Sequence, residues 1–331
     1  MRLSTPYIKV RDASCAALVV AAIVALAAPA GAGGREPARL DDLRLLGTHN
    51  SYHLRPDRPL LPGESADYAH APLDVQLSEQ GVRSFELDAF NGPDFPVFHS
   101  LVVDTGSTCP NLEACFATID AWSDDHPKHV PLILYVEAKP VPLSTNPIAQ
   151  DVINNATRDL GITNWDAAAF DRLDALVRRS FGDSLITPDD VRGKRRTLRA
   201  AIVRDGWPTI AKSRGKVLVT LIGAQAERDL YRVGAPSLEG RAMFVNTTPA
   251  DPAAAVISRD VPDARARIPE LVGQHFIVKT RADADLVQAR ANDRTRAEQA
   301  LGSGAQVIVT DFPVADPAIG PYVVTLRDGT R

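Results

Sequence analysis

The feature that most constrains this chain is a recurrence. Short apolar runs, each long enough for one buried strand, alternate with stretches of helical periodicity. Candidate strands lie at residues 43–47, 82–87, 132–136, 216–222, 242–245, 275–279 and 306–310, and helical patterns at 112–122, 165–181, 252–259 and 282–301. The apolar runs are continuous Val/Ile/Leu segments and do not alternate with polar residues, which suits strands buried on both faces in a parallel sheet covered by helices. Seven or eight such units favour a closed barrel over an open sheet. No linker rich in Gly, Pro or Ser divides the chain, and it has no internal repeat. The expected fold is therefore α/β, a single (β/α)₈-type barrel with parallel strands and modest insertions.

The first residues do not belong to that pattern. Arg2, Lys9 and Arg11 precede an apolar run at 13–28, and Ala28-Pro29-Ala30 and Ala30-Gly31-Ala32 follow as small-residue cleavage sites. This arrangement predicts a secretory signal peptide over residues 1–32 and an exported domain over 33–331. An uncleaved anchor is the alternative, but sixteen Ala-rich residues are short for a bilayer span. Cys15 stands at the start of the apolar run, where a lipid-attachment cysteine would end it. Removing the segment takes Arg2, Lys9, Arg11 and Asp12 with it, so the net charge moves from −4 to −6. Neither value offers a broad basic surface to nucleic acid. With 45% hydrophobic and 24% charged residues, the chain is too apolar for disorder and too charged for a polytopic membrane protein.

Of the three cysteines, only Cys109 and Cys115 survive the cleavage. In an oxidising compartment, two thiols six positions apart at the start of a helical pattern are expected to form one local disulfide. No His stands at metal spacing beside them, and His126-Pro127-Lys128-His129 reads as a helix-ending loop.

What the strands end in is more informative. Polar residues gather at their C-terminal ends: Thr48-His49-Asn50, Glu86-Leu87-Asp88, Glu137-Ala138-Lys139, Lys279-Thr280-Arg281 and Thr310-Asp311. Parallel barrels carry their active sites at this end. The period of two in a strand points Glu86 and Asp88 the same way, and likewise Glu137 and Lys139. A carboxylate at one strand end is adequately explained as a helix cap or the partner of an Arg. Three strands with matching placement are not. Three carboxylates and the amide of Asn50 form a hard oxygen donor set that suits Ca²⁺, and after it Mg²⁺, better than Zn²⁺. His49 and His99 flank this set. Two imidazoles beside a hard cation make a kit for phosphoryl transfer, one to meet phosphoryl oxygens and one to handle the leaving-group proton. His53, His70 and His275 are expected to be packed, hydrogen-bonded side chains.

These residues carry a resemblance. Leu46-Gly-Thr-His-Asn-Ser-Tyr-His53, Gln80-Gly-Val-Arg-Ser-Phe-Glu-Leu-Asp88, Val97-Phe-His99 and Leu134-Tyr-Val-Glu-Ala-Lys139 resemble the phosphatidylinositol-specific phospholipase C superfamily, in particular its secreted, calcium-dependent bacterial branch. Phe276-Ile-Val-Lys-Thr-Arg-Ala-Asp283 and Ser303-Gly-Ala-Gln-Val-Ile-Val-Thr-Asp-Phe-Pro313 extend it to the C-terminus. The resemblance implies a PLC-like TIM (β/α) barrel, regular or distorted. It also implies Asn50, Glu86, Asp88 and Glu137 as Ca²⁺ ligands and His49 and His99 as catalytic residues. The implied reaction is attack of the inositol 2-hydroxyl on its own 1-phosphodiester, which releases diacylglycerol and a 1,2-cyclic phosphate. A tethered nucleophile needs no Ser or Cys. Glu86 and Glu137 are the candidate bases, His49 is assigned to the developing charge and His99 to the leaving-group side. Lys139 and Arg281 are placed to meet phosphate or inositol oxygens, or else to pair with carboxylates of the rim. The metal-free bacterial enzymes have an Arg where this chain has Asp88, and an acid at that point asks for a cation.

The expected partners are a phosphoinositide or related phosphodiester and, transiently, a membrane surface; the protein is expected to be a monomer. The 60–62 and 90–95 loops offer apolar residues for membrane contact. Two other readings stay open. A glycerophosphodiester phosphodiesterase shares the barrel, the first His and the E-x-D pair, but its usual His-Arg start is His49-Asn50 here. A non-catalytic secreted binding protein on the same barrel is the other.

Overall fold

Every expected apolar run forms a strand: β1 (Leu45–Thr48), β2 (Ser84–Phe90), β3 (Leu132–Lys139), β5 (Val217–Gly223), β6 (Phe244–Val245), β8 (Ile277–Arg281) and β9 (Val307–Thr310). Two more, β4 (Leu185–Ile186) and β7 (Val256–Ser258), complete the set in this computed structural model. It describes residues 37–58, 60, 64–261 and 267–326. The expected signal segment, 1–32, and Leu61-Pro62 of the 60–62 loop lie outside the described residues. No helix among the described residues is long and apolar enough to cross a membrane.

All strand pairings are parallel, in the order β4-β5-β3-β2-β1-β9-β8-β7, with β6 joining β5 beyond β4. The sheet curls until its ends touch once. Asn246, next after β6, forms a parallel bridge with Val256 of β7, and its Oδ1 accepts from the Ser258 amide at 2.9 Å. Leaving β4 aside, eight strands thus run around a distorted barrel. Strands β1 and β2 are buried along their whole length, as strands covered on both faces must be. Each fully buried Val, Leu, Ile or Phe contributes roughly 1.5–3 kcal/mol of apolar burial, so the wall is also the main source of stability.

The helices follow their capping residues. Helix α1 (Leu73–Ser78) lies between β1 and β2. Helix α2 (Leu112–Asp125) starts at Asn111, whose side chain accepts from the Ala114 amide at 2.8 Å, and the Cys109–Cys115 disulfide ties the segment before it to its first turn. It ends at His126, as the His126–His129 loop suggested. Helix α3 (Pro147–Asp159) begins with Pro after the Asn146 cap and buries no residue. Helix α4 (Ala167–Phe181) is capped by Asp166 and buries Phe170, Leu173, Val177 and Phe181 on one face.

Three expectations need correction. The 252–259 stretch is not helical: Ala253 to Ile257 are all buried, and a run apolar on every side has no preferred face, so pairing with β8 decides the outcome. The 282–301 pattern is two helices, Val287–Ala291 and Thr295–Gly302, separated where Asn292 turns left-handed at φ 48°. The 90–95 loop presents no apolar anchor, because Phe90 and Phe95 are buried; Phe90 packs with Phe98, Leu101 and Ile162.

Candidate active site

The strand register brings the carboxylates together. Asp88 of β2 pairs directly with Glu137 of β3, and Glu86, two residues earlier on β2, faces the same side. Glu86, Asp88 and Glu137 each offer an oxygen, and these oxygens lie within 4.8 Å of one another. Asp88 is fully buried and neither of its oxygens has a hydrogen-bond partner. A buried carboxylate without an aligned hydrogen bond, met by a single ammonium at 3.2 Å, is costly, and a hard cation is a partner that would relieve it. The donor set therefore fits Ca²⁺. Two lysines also face it. Lys279 of β8 pairs with Glu86, and Lys139 lies 3.2 Å from Asp88 Oδ2 and 3.5 Å from Glu137 Oε1. Burial, then the charge of Asp88, pushes the Glu137 carboxyl up to about 7, whereas Lys279 outweighs burial and holds Glu86 below its ordinary value.

Strand β1 supplies His49 and Asn50. Gly47 leads into them at a close approach: a Cβ there would stand 3.1 Å from Ser84 Cβ and 3.2 Å from a Val309 methyl. Asn50 takes a left-handed conformation at φ 44°, which Asn tolerates better than most residues, and it is buried. The turn is held by Ser51, whose hydroxyl accepts from the Glu86 amide at 2.8 Å and donates to the Thr48 carbonyl at 3.0 Å. This locks the β1 end to the carboxylate-bearing strand.

Because Thr48 pairs with Thr310, the next residues, His49 and Asp311, lie side by side. His49 Nδ1 donates to Asp311 Oδ1 at 3.0 Å, and Arg281 donates to Asp311 Oδ2 at 3.1 Å. Burial resists ionisation of Asp311, but these two cationic partners overcome it and keep its pKa at about 2. Burial also opposes a charge on His49, yet Asp311 raises its pKa overall. Asp283 stands behind the pair, accepting from the Asp311 amide at 2.9 Å and from the Thr310 hydroxyl.

His99 projects from the loop after β2. Its Nδ1 donates to Asp104 Oδ2 at 2.9 Å, and buried His53 donates from Nε2 to both oxygens of the same carboxylate at 3.0 Å. The two imidazoles outweigh burial and hold the Asp104 carboxyl well below its usual range. His53 stacks on Tyr68 at 4.4 Å. One cleft of about 310 Å³, open to solvent, is lined by His49, Asn50, His99, Asp104, Arg281 and Asp311 among others.

The residues singled out from sequence thus converge: the three carboxylates in one cluster, and His49, Asn50, His99 and Arg281 on one cleft. Lys139 and Arg281 are engaged by carboxylates in this structure. His53 and His70 are buried and hydrogen-bonded as expected, while His275 pairs with Asp41 at 2.7 Å but is half exposed. Asp104, Asp311 and Lys279 are further residues of the candidate site, in contact with His99, His49 and Glu86, that the sequence analysis left out of it. Asp311 and Lys279 had the strand-end position as a signal; Asp104, in an aperiodic loop, had none.

A sequence model described as phosphoinositide phospholipase C, Ca²⁺-dependent, matches residues 38–94 and 89–331. No curated protein sequence matches the chain. Among solved structures, a calcium-dependent phosphoinositol-specific phospholipase C from Pseudomonas sp. is similar at 18% identity, with 83% of this chain and 90% of that one covered and a TM-score of 0.56. A Ca²⁺-dependent phosphatidylinositol-specific phospholipase C from Streptomyces antibioticus is similar at 20% identity, with 83% and 95% covered and a TM-score of 0.54. At these identities the structural likeness speaks for the fold.

Proposed function

The chain belongs to the Ca²⁺-dependent phosphoinositide phospholipase C family, and from that premise we propose that it cleaves phosphatidylinositol by intramolecular attack of the inositol 2-hydroxyl, giving diacylglycerol and inositol 1,2-cyclic phosphate. The family match favours this reading over a glycerophosphodiester phosphodiesterase or a non-catalytic barrel. The observation that carries it is the convergence of the Glu86, Asp88 and Glu137 carboxylates, whose oxygens lie within 4.8 Å of one another on neighbouring strand ends.

Asn50, Glu86, Asp88 and Glu137 are the residues proposed to hold Ca²⁺. Bound there, the ion supplies Lewis acidity toward the hydroxyl and a non-bridging phosphoryl oxygen. The protein's own groups do the rest. His49, with Nδ1 committed to Asp311, has Nε2 left to donate to the phosphoryl oxygens as charge develops. His99, with Nδ1 committed to Asp104, has Nε2 left to protonate the diacylglycerol oxygen. Of the two candidate bases, Glu137 is the less restrained, since its side chain is 29% exposed while Glu86 is 6% exposed and tied to Lys279. Arg281 and Lys139 are the candidates for phosphate or inositol oxygens.

Residues 1–32 are proposed as an export signal and 33–331 as the exported enzyme, acting as a monomer. Transient membrane contact is supported by exposed Val102 and Val103 after β2, Leu143 after β3 and Ile148 in the first turn of α3.

³¹P NMR of phosphatidylinositol turnover tests the mechanism. A five-membered cyclic phosphate signal should appear with calcium and be absent with chelator. Turnover that persists in chelator contradicts the metal assignment, and turnover that never shows the cyclic product contradicts the 2-hydroxyl attack.

A further inference from the structure

Strand β3 ends in Glu137-Ala138-Lys139, and the period of two puts the ammonium on the same face as the carboxylate two residues before it. Because Asp88 is the lateral neighbour of Glu137, Lys139 Nζ reaches both, 3.2 Å from Asp88 Oδ2 and 3.5 Å from Glu137 Oε1. The ammonium is thus shared between two carboxylates and committed to neither at close range. The backbone beneath it is fixed, with Trp165 Nε1 donating to the Lys139 carbonyl at 3.0 Å. Only the four-carbon stem is free to move. The side chain is 21% exposed, so it has a path toward solvent at the mouth.

Lys279 differs in each of these respects. It pairs with Glu86, its ammonium lies 4.6 Å from the centre of the Tyr135 ring, and its side chain is 9% exposed. That lysine is a fixed counter-charge within the barrel. Lys139 is a displaceable one, held by the same two carboxylates that a divalent cation would need. Two cations sharing two carboxylates repel each other over a few ångströms in a partly desolvated site, where that repulsion is much larger than in water.

Resting on the metal reading above, we infer that Lys139 is an intramolecular competitor for the Ca²⁺ site: loading of Asp88 and Glu137 displaces its ammonium toward the cleft, where a phosphodiester anion is its next partner. Metal and anionic substrate then favour each other, because each prefers the displaced arrangement of one side chain. Lys139 is in this sense a positioning residue for the metal as well as a substrate contact.

Isothermal titration of the purified enzyme with calcium chloride alone tests this, using the parent, Lys139→Met, Lys139→Gln and Lys139→Arg. The two neutral variants should bind calcium more tightly than the parent, on the order of tenfold, and the arginine variant, which keeps the charge, should stay near the parent. In chelator the neutral variants should melt lower than the parent, and calcium should raise their melting temperature more. Equal or weaker calcium affinity in whichever neutral variant keeps the parent's circular dichroism overturns the competition. Absence of calcium binding in the parent and in every variant overturns the metal reading beneath it, which is a separate and recognisable result.

Discussion

His70 shows how one buried ring can make this barrel sensitive to acid. It sits behind the cleft with Nε2 donating to the His49 carbonyl at 2.9 Å, and burial pushes its pKa down to about 4 against a weaker pull from Asp311. The folded state therefore binds fewer protons than the unfolded chain between about pH 4 and 6.5, and stability must rise with pH across that window. The contribution is fully present above pH 6.5 and is lost as pH falls toward 4. Between pH 7.5 and 5.0 it amounts to about 2 kcal/mol. His70→Gln keeps a donor for the carbonyl but does not titrate, so urea midpoints at the two pH values should lie closer together than in the parent. An unchanged gap would assign the acid sensitivity elsewhere. At this scale the sequence is uneven as a guide. Glu86, Asp88 and Glu137 were legible because strand periodicity fixes which way a side chain points. Asp104 was not, because its role depends on a loop that folds back through paired backbone bonds between Ser100 and Asp104, and nothing periodic announces such a turn.

At the scale of elements, the β2–α2 connection carries His99 and is anchored where the disulfide meets the Asn111 cap. A covalent ring of so few residues restricts the unfolded chain modestly, by about 2 kcal/mol in the loop-entropy account. Cys109→Ser with Cys115→Ser should lower unfolding free energy by that amount in urea denaturation, while the strand-borne carboxylates keep their calcium affinity. If calcium binding falls as much as stability does, the connection is coupled to the metal cluster in a way the geometry does not suggest. The strands themselves were readable to within a few residues, because a wall buried on both faces leaves no polar interruption until the strand ends. Strands β4 and β7 were not: β4 is two residues without an apolar run around it, and β7 lies in a run apolar on every side that its pairing with β8 defines.

At the scale of the whole molecule, the proposed lipid substrate requires that the barrel mouth meet a membrane surface. Val102, Val103 and Leu143 lie 50%, 54% and 89% exposed on the connections that follow β2 and β3, and Ile148, in the first turn of α3, is 76% exposed. Val102→Asp with Val103→Asp should weaken binding to phosphatidylinositol-containing vesicles by about tenfold, with turnover of a soluble inositol phosphodiester retained. Sedimentation with sucrose-loaded vesicles measures the first and a soluble assay the second; equal binding by parent and variant would remove these valines from the contact. The overall architecture was legible from alternation alone, but the way the wall closes was not, since that rests on one asparagine.

That closure has a geometric consequence. Counting around the ring, the seam between β6 and β7 falls opposite the β1–β2 pair, so the sheet resembles a horseshoe whose tips meet at a single point, with His49, the residue after β1, near the toe. The proposed site thus lies where the strand ladder is continuous, away from the single-point seam.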